Sequence, residues 1–332
     1  MSEERLPVSI ITGFLGSGKT TLLNHLLRDP GMGETAVVVN EFGEIGIDNA
    51  LVVGSSDQVV LMESGCLCCT IRGDLIETLG ELMAERGQGT VPPFKRVVIE
   101  TTGLADPAPI LQALMSDLMM LNHFRLGQVV TVVDAYHGAK TLDAQLEAVK
   151  QAAVADRLVL SKGDLASRED LERLAGRLRR LNPTAPLIEA LHGAVDPARL
   201  FGSTSFDVAE KTAEVRSWLQ AEGHGSEHHE HDPNRHDAAI RAHVFAFDRP
   251  LAWEALAEWL DCLALEYGEE LLRVKGLVNV LGQEEPVVIQ GVHHLFHPPA
   301  TLPGWPDEDR RSRLVFIVRD LDRADLAAGA PG

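Results

Sequence analysis

Residues 13–21, GFLGSGKTT, carry the residue types and the spacing that hold a polyphosphate. They fit G-x-x-x-x-G-K-[ST], with Gly13, Gly18, Lys19 and Thr20 at the fixed positions and Gly16, Ser17 and Thr21 completing the loop. Glycines in such a loop let successive backbone N–H groups converge on phosphate oxygens, at the positive end of a helix dipole. Lys19 would reach the β- and γ-phosphates, and the Thr20 hydroxyl would ligate Mg²⁺. The alternative is a Gly-rich turn ahead of a core helix. The flanks argue against it: residues 6–11 read as a buried strand and residues 21–27 as an amphipathic helix, the setting in which the motif means phosphate binding.

Three other stretches offer groups to the same chemistry. Residues 40–48, NEFGEIGID, form a Gly-punctuated loop containing Glu41 and Asp48. It reads either as a phosphate-sensing switch or as a solvated turn. Residues 100–103, ETTG, place an acid at a strand end with Gly three positions on. In GTPases that pattern is the second γ-phosphate sensor: the Gly103 amide meets the γ-phosphate, and the Glu100 carboxylate holds Mg²⁺ through water. Residues 161–164, SKGD, approach Asn-Lys-x-Asp, with Ser161 where Asn is usual. Asp164 could accept hydrogen bonds from guanine N1–H and its exocyclic amine, while the Lys162 stem stacks on the base. Adenine has an acceptor at N1 and no such amine, and polar complementarity of this kind discriminates by roughly 10⁴ or more. GTP is therefore expected over ATP.

Cys66-Leu67-Cys68-Cys69 follows Glu63-Ser64-Gly65. In a strand Cys66 and Cys68 would share a face, in a helix Cys66 and Cys69 would, and only an irregular segment brings all three together. Gly65 permits one, and the helix expected next would favour thiolates at its N-terminus. Such ligands suit Zn²⁺, Cu⁺ or, less well, Co²⁺. Small buried hydrophobes are the other reading of cysteine, but three of the chain's four lie within these four positions. Residues 222–236 interleave histidines with carboxylates and lack apolar side chains. They would hold divalent ions loosely or serve as a solvated hinge. Cys262, near Trp259 and Leu263, is expected in a core, and His293, His294 and His297 in structural or surface roles.

The elements that must position these groups alternate. Strand-like runs at 36–39, 59–62, 96–99, 128–133, 157–160 and 186–190 are separated by helical patterns, which argues a parallel, helix-covered sheet. The phosphate loop, residues 40–48, the cysteine cluster, residues 100–103 and residues 161–164 each directly follow a strand, so all five project from the carboxyl edge, where open α/β sheets bind ligands. The cysteine cluster is thereby expected beside the nucleotide. Strand-like runs at 243–247, 271–276, 286–290 and 313–318, with a helix at 253–265, suggest a small α+β domain. The expected division is a nucleotide-binding domain at 1–205, a connecting segment at 206–238, the α+β domain at 239–322 and a frayed tail at 323–332. A length of 332 residues accommodates two cores. A net charge of −19 opposes nucleic-acid and anionic-membrane partners. An acidic N-terminus unlike a signal peptide, no apolar run long enough for a membrane span and no disulfide framework point to the cytoplasm.

GFLGSGKTTLLNHLL, VNEFGEIGIDNALV, ESGCLCC, IETTGLADP and the His-rich hinge before a small α+β domain resemble the CobW family. These GTPases are related to the nickel chaperones of urease and hydrogenase maturation. The resemblance spans nearly the whole chain, and Cys-x-Cys-Cys after Glu-Ser-Gly is the family's signature. It implies an α/β P-loop GTPase domain with a mainly parallel sheet, followed by a smaller α+β C-terminal domain. It also implies slow GTP hydrolysis with Mg²⁺, coupled to delivery of a transition metal. Zinc leads, with cobalt for cobalamin assembly as the alternative. Lys19, Glu41, Glu100 and Gly103 carry over as the hydrolytic machinery, with Asp48 in the first switch. Ser161, Lys162 and Asp164 become base recognition, and Cys66, Cys68 and Cys69 the transition-metal site. An unidentified client metalloprotein is implied as recipient, and the resemblance is compatible with a nucleotide- or metal-dependent dimer. Two other classes compete: a metal-sensing or storage protein with structural nucleotide, and an ATP-dependent kinase with a structural zinc.

Overall fold

A computed structural model describes residues 5–39, 59–63, 71–202 and 239–331. The chain divides into two compact units. One comprises Met1–Thr141, Ala155–Leu174 and Leu187–Ser205; the other comprises Leu142–Val154, Ala175–Pro186 and Phe206–Gly332.

The first unit is built on a parallel sheet of β1 (Leu6–Thr12), β2 (Thr35–Val39), β3 (Val59–Glu63), β4 (Arg96–Glu100), β5 (Phe124–Asp134), β6 (Arg157–Ser161) and β7 (Leu187–Ala190). The strands lie in the order β3-β2-β4-β1-β5-β6-β7. Every residue of β2 is buried, as are four of the five in β4 and in β6. Such β-branched runs without alternation belong in a sheet covered on both faces. Between these strands in chain order run α1 (Lys19–Leu26), α2 (Ile71–Gln88), α3 (Ala108–Ser116), α4 (Leu118–His123), α5 (Gly138–Ala144), α6 (Leu146–Val154) and α7 (Arg168–Leu181), and α8 (Pro197–Phe201) follows β7; residues 142–154 and 175–181 of these helices belong to the second unit. Leu22, Leu23 and Leu26 of α1 are buried with Ile11, Val37, Val98 and Val130, which fixes α1 against the sheet beside β1. The connection from β1 runs to one side of the sheet and that from β4 crosses to the other. The carboxyl end of β1 is therefore the switch point, where such sheets leave a crevice.

In the second unit, β8 (Ile240–Phe247), β9 (Leu271–Val278), β10 (Val287–Val292), β11 (Leu295–Phe296), β12 (Ala300–Thr301) and β13 (Ser312–Arg319) form an antiparallel sheet. Against it packs α9 (Trp253–Tyr267), burying Leu256, Trp259, Leu260 and Leu263. Trp259 meets Phe316 edge-on at 5.3 Å and Phe245 at 5.7 Å.

Two expectations for this unit are corrected. Cys262 is exposed, because it lies about 200° around α9 from Leu260, on the face away from the sheet. The segment 323–332 is not simply frayed. Asp322 and Asp325 make a reciprocal capping box that starts α10 (Arg323–Ala327), Leu326 is fully buried, and its carbonyl accepts from Trp259 Nε1 at 3.0 Å. His293 is buried, with Nδ1 at 3.3 Å from the Gly268 carbonyl, a structural role as expected. No helix among the described residues is long and apolar enough to cross a membrane.

Candidate functional site

The loop between β1 and α1 could not be built from larger residues. Gly13 has φ 141°, and a Cβ there would lie 2.2 Å from the Val132 carbonyl oxygen. The loop turns on a bond from Ser17 N–H to Phe14 O, 3.1 Å, and enters α1 through Gly18. The first turn of α1 has no acidic residue, so its positive end remains available to an anion. Lys19 is largely buried, and its Nζ donates to Gly13 O at 2.8 Å and to Phe14 O at 3.3 Å. The ammonium is thus folded over the loop it would serve.

Thr20 and Glu100 come from different elements but meet. The parallel register sets Ile11 opposite Glu100, so the end of β4 stands beside the start of the loop. Thr20 Oγ1 donates to Glu100 Oε1 at 2.7 Å. A hydroxyl and a carboxylate oxygen this close at the phosphate end are a hard donor set that fits Mg²⁺. Two further bonds tie β4 to β1: Thr101 N–H to Ile11 O at 3.0 Å, and Thr101 Oγ1 to Thr12 Oγ1 at 2.9 Å. Gly103 follows in close contact with the loop, since a Cβ on it would lie 2.5 Å from Leu15 N and 2.7 Å from Leu15 Cα. Backbone atoms cannot yield as a side-chain end can. Gly103→Ala is accordingly expected to cost about 1–3 kcal/mol of stability as overpacking, measured by urea unfolding. A wild-type midpoint would show that the two loops separate freely.

On the other side of β1, Ser161 Oγ donates to Ser17 O at 2.5 Å, and Lys162 Nζ donates to Gly16 O at 2.6 Å. The hydroxyl of Ser161 thus braces the phosphate loop, with no amide needed there. Lys162 also pairs with Asp134 Oδ2 at 2.7 Å. Asp134 Oδ1 accepts from the amides of Tyr136 at 2.8 Å and His137 at 2.9 Å. Burial opposes ionisation of Asp134 more than any other single influence, but Lys162 and the two amides together hold its carboxyl below the usual range. Asp164 lies on the short 3₁₀ turn Gly163–Leu165 with an exposed side chain. After β7 the chain turns at Gly193, φ 80°, where a Cβ would come within 2.7 Å of Thr21 O.

The structure therefore gathers Gly13, Gly16, Ser17, Gly18, Lys19, Thr20, Thr21, Glu100, Gly103, Ser161 and Lys162 at one edge, with Asp164 on the adjoining turn. Asp134 carries no functional role in the sequence reading, whereas the turn after residues 186–190, which contains Gly193, is the one that reading expects to close over the base. The one available signal for Asp134 is an acid at a strand end, the signal that singled out Glu100. Glu41, Asp48, Cys66, Cys68, Cys69 and the His-rich segment lie outside the described residues. Among the described residues no group of three or more His, Cys, Asp or Glu side chains is assembled for a metal. The approach to the cysteines is described: Val39 pairs with Glu63 on β3 and with Glu100 on β4.

Known proteins resemble this chain along its length. Residues 7–189 match the CobW/HypB/UreG nucleotide-binding domain, and residues 240–329 match the cobalamin synthesis protein cobW C-terminal domain. The zinc chaperone YjiA of Escherichia coli (strain K12) is 32% identical over 327 residues, covering 98% of each chain. The zinc chaperone CobW of Pseudomonas aeruginosa is 33% identical, covering 97% of this chain and 90% of its own. The crystal structure of Zn(II)-bound YjiA GTPase from E. coli superposes with a TM-score of 0.72 at 28% identity, covering 98% of each chain.

Proposed function

The chain belongs to the CobW family of nucleotide-binding proteins, and from that premise we propose that it is a GTP-hydrolysing metallochaperone. In this reading it takes up a zinc ion as cargo at Cys66, Cys68 and Cys69 and releases it to a client protein when GTP is cleaved. One observation carries the link between nucleotide and cargo. Glu100, bonded to Thr20 at the phosphate end, shares a register row through Val39 with Glu63. Two strand spacings, roughly 10 Å, separate Glu63 from Glu100, and Cys66 follows Glu63 by three positions in the sequence.

The roles follow from the chemistry of the groups. Loop amides and Lys19 bind the phosphates, the Gly103 amide meets the γ-phosphate, and Asp164 reads the base. Mg²⁺ would be held by Thr20 and Glu100, where it supplies positive charge to the phosphate oxygens. Glu41 and Asp48 belong to the loop that responds to the γ-phosphate. Water cleaves the terminal phosphoanhydride to give GDP and phosphate, and the loops ordered by the γ-phosphate relax. Three thiolates leave one tetrahedral position for water, a client ligand or Glu63, which suits an ion that must be handed on. Relatives named as zinc chaperones favour zinc over cobalt as cargo.

The test is the affinity for Zn²⁺, by competition with a chromogenic chelator, in the Mg·GTP and Mg·GDP forms. Tighter binding in the GTP form, by tenfold or more, is expected from the usual range of coupling free energies. Equal affinities would overturn release by hydrolysis and favour a sensing or storage protein, and Co²⁺ bound more tightly than Zn²⁺ would reassign the cargo.

A further inference from the structure

Asp134 ends β5, one strand away from the phosphate loop, and its two carboxylate oxygens do separate things. Oδ1 accepts from the amides of Tyr136 and His137, which starts the turn leading to α5. That is ordinary for an acid at a strand end. Oδ2 instead takes the Lys162 ammonium at 2.7 Å, and the turn does not require that bond. Lys162 spends a second of its three donors on Gly16 O at 2.6 Å. Its backbone is left-handed, at φ 55° and ψ 31°, a conformation that residues bearing a Cβ adopt only at a cost.

We infer that Asp134 is a positioning residue of the nucleotide site: it holds Lys162 in a bridge to Gly16, so that segment 161–164 and the phosphate loop meet a nucleotide as one rigid unit. The inference rests on the reading of 161–164 as base recognition and extends it to a residue outside that motif. The pair is placed to matter. The side chain of Asp134 is 11% exposed and that of Lys162 37%, so solvent screens it less than a surface ion pair. The Ser161 bond to Ser17 O is a second clamp between the same two segments. With both closed, the Lys162 stem and the Asp164 carboxylate keep a fixed distance from the phosphate subsite. A nucleotide then gains base and phosphate contacts together, without ordering one loop after the other.

Asp134→Asn separates the two oxygens. The amide oxygen can still receive the Tyr136 and His137 N–H groups, while the amide nitrogen opposes the Lys162 ammonium. The readout is calorimetric affinity of the full chain for GTP, GDP, ATP and inosine triphosphate, which lacks the exocyclic amine. Asp134→Asn is expected to weaken GTP and GDP alike, by about 10- to 100-fold, the scale of a hydrogen bond to a charged group. The preference for GTP over inosine triphosphate should shrink with it, and the unfolding midpoint should change little. Lys162→Met should reproduce both losses, and the double variant should lose no more than either single one, because the two residues act through one bridge. Unchanged affinity and preference in Asp134→Asn, or losses that multiply in the double variant, overturn the assignment. Should Asp134→Asn fail to fold, Lys162→Met decides alone, and a wild-type preference in it also overturns the assignment. A wild-type protein that binds ATP as well as GTP is a different failure, which removes the base-recognition reading itself.

Discussion

Replacing Lys19 with Ala is expected to weaken both GTP and GDP by about 10²- to 10³-fold, the loss typical when one partner of a buried, hydrogen-bonded charge pair is truncated. The ammonium already lies in the phosphate loop, bonded to Gly13 O and Phe14 O, so little is spent on ordering it when a nucleotide arrives. The other lysine at this edge, Lys162, donates to Gly16 O instead. The fold should tolerate the change. The site is a loop mouth, and the carbonyls Lys19 leaves can turn to water, which limits the cost to about 1 kcal/mol. Calorimetry gives the affinity, and a thermal melt shows that the fold survives. GTP affinity within threefold of wild type, in a folded variant, would end the assignment of residues 13–21 as the phosphate site.

The strands were legible wherever burial on both faces left an uninterrupted β-branched run, as in residues 36–39 and 96–99. Because each motif sits at the end of such a run, the sequence order alone predicted that Lys19, Thr20, Glu100 and Ser161 share an edge. What it could not supply was pairing. An acid after β5 is equally a cap for the following turn and a partner for Lys162, and only the positions of both Asp134 oxygens reveal that it is both. Ser161 stands where Asn is usual in this motif. The strands bring Ser161 close enough to Ser17 that a hydroxyl spans the gap at 2.5 Å. Cys262 was misread because a residue type's general tendency to be buried was weighed above helical phase, which points it away from Leu256, Leu260 and Leu263. The end of the chain was misread through its Ala, Gly and Pro content, although Asp322 and Asp325 are spaced for a cap and Leu326 for a core.

Substituting Ser for Cys66, Cys68 and Cys69 together is expected to erase the coupling between metal and nucleotide while leaving Mg·GTP affinity within about threefold of wild type, the phosphate contacts being untouched. In wild type, linkage demands reciprocity: whatever factor Mg·GTP gives to Zn²⁺ affinity, Zn²⁺ must give to GTP affinity. A switch that swings occupancy from 1:99 to 99:1 needs a difference of about 10⁴, or 5.5 kcal/mol. Breaking a thiolate–metal bond can supply that, whereas the loosely held ions of an imidazole and carboxylate surface cannot. The serine hydroxyl is too weakly acidic to replace a thiolate ligand. The variant should therefore bind GTP with the same affinity whether or not Zn²⁺ is present. Titrating GTP at several Zn²⁺ concentrations, in wild type and variant, measures the coupling directly. A variant that kept the wild-type coupling would move the cargo site away from Cys66, Cys68 and Cys69. A wild type that showed none would leave GTP hydrolysis with no means of loading or releasing the ion.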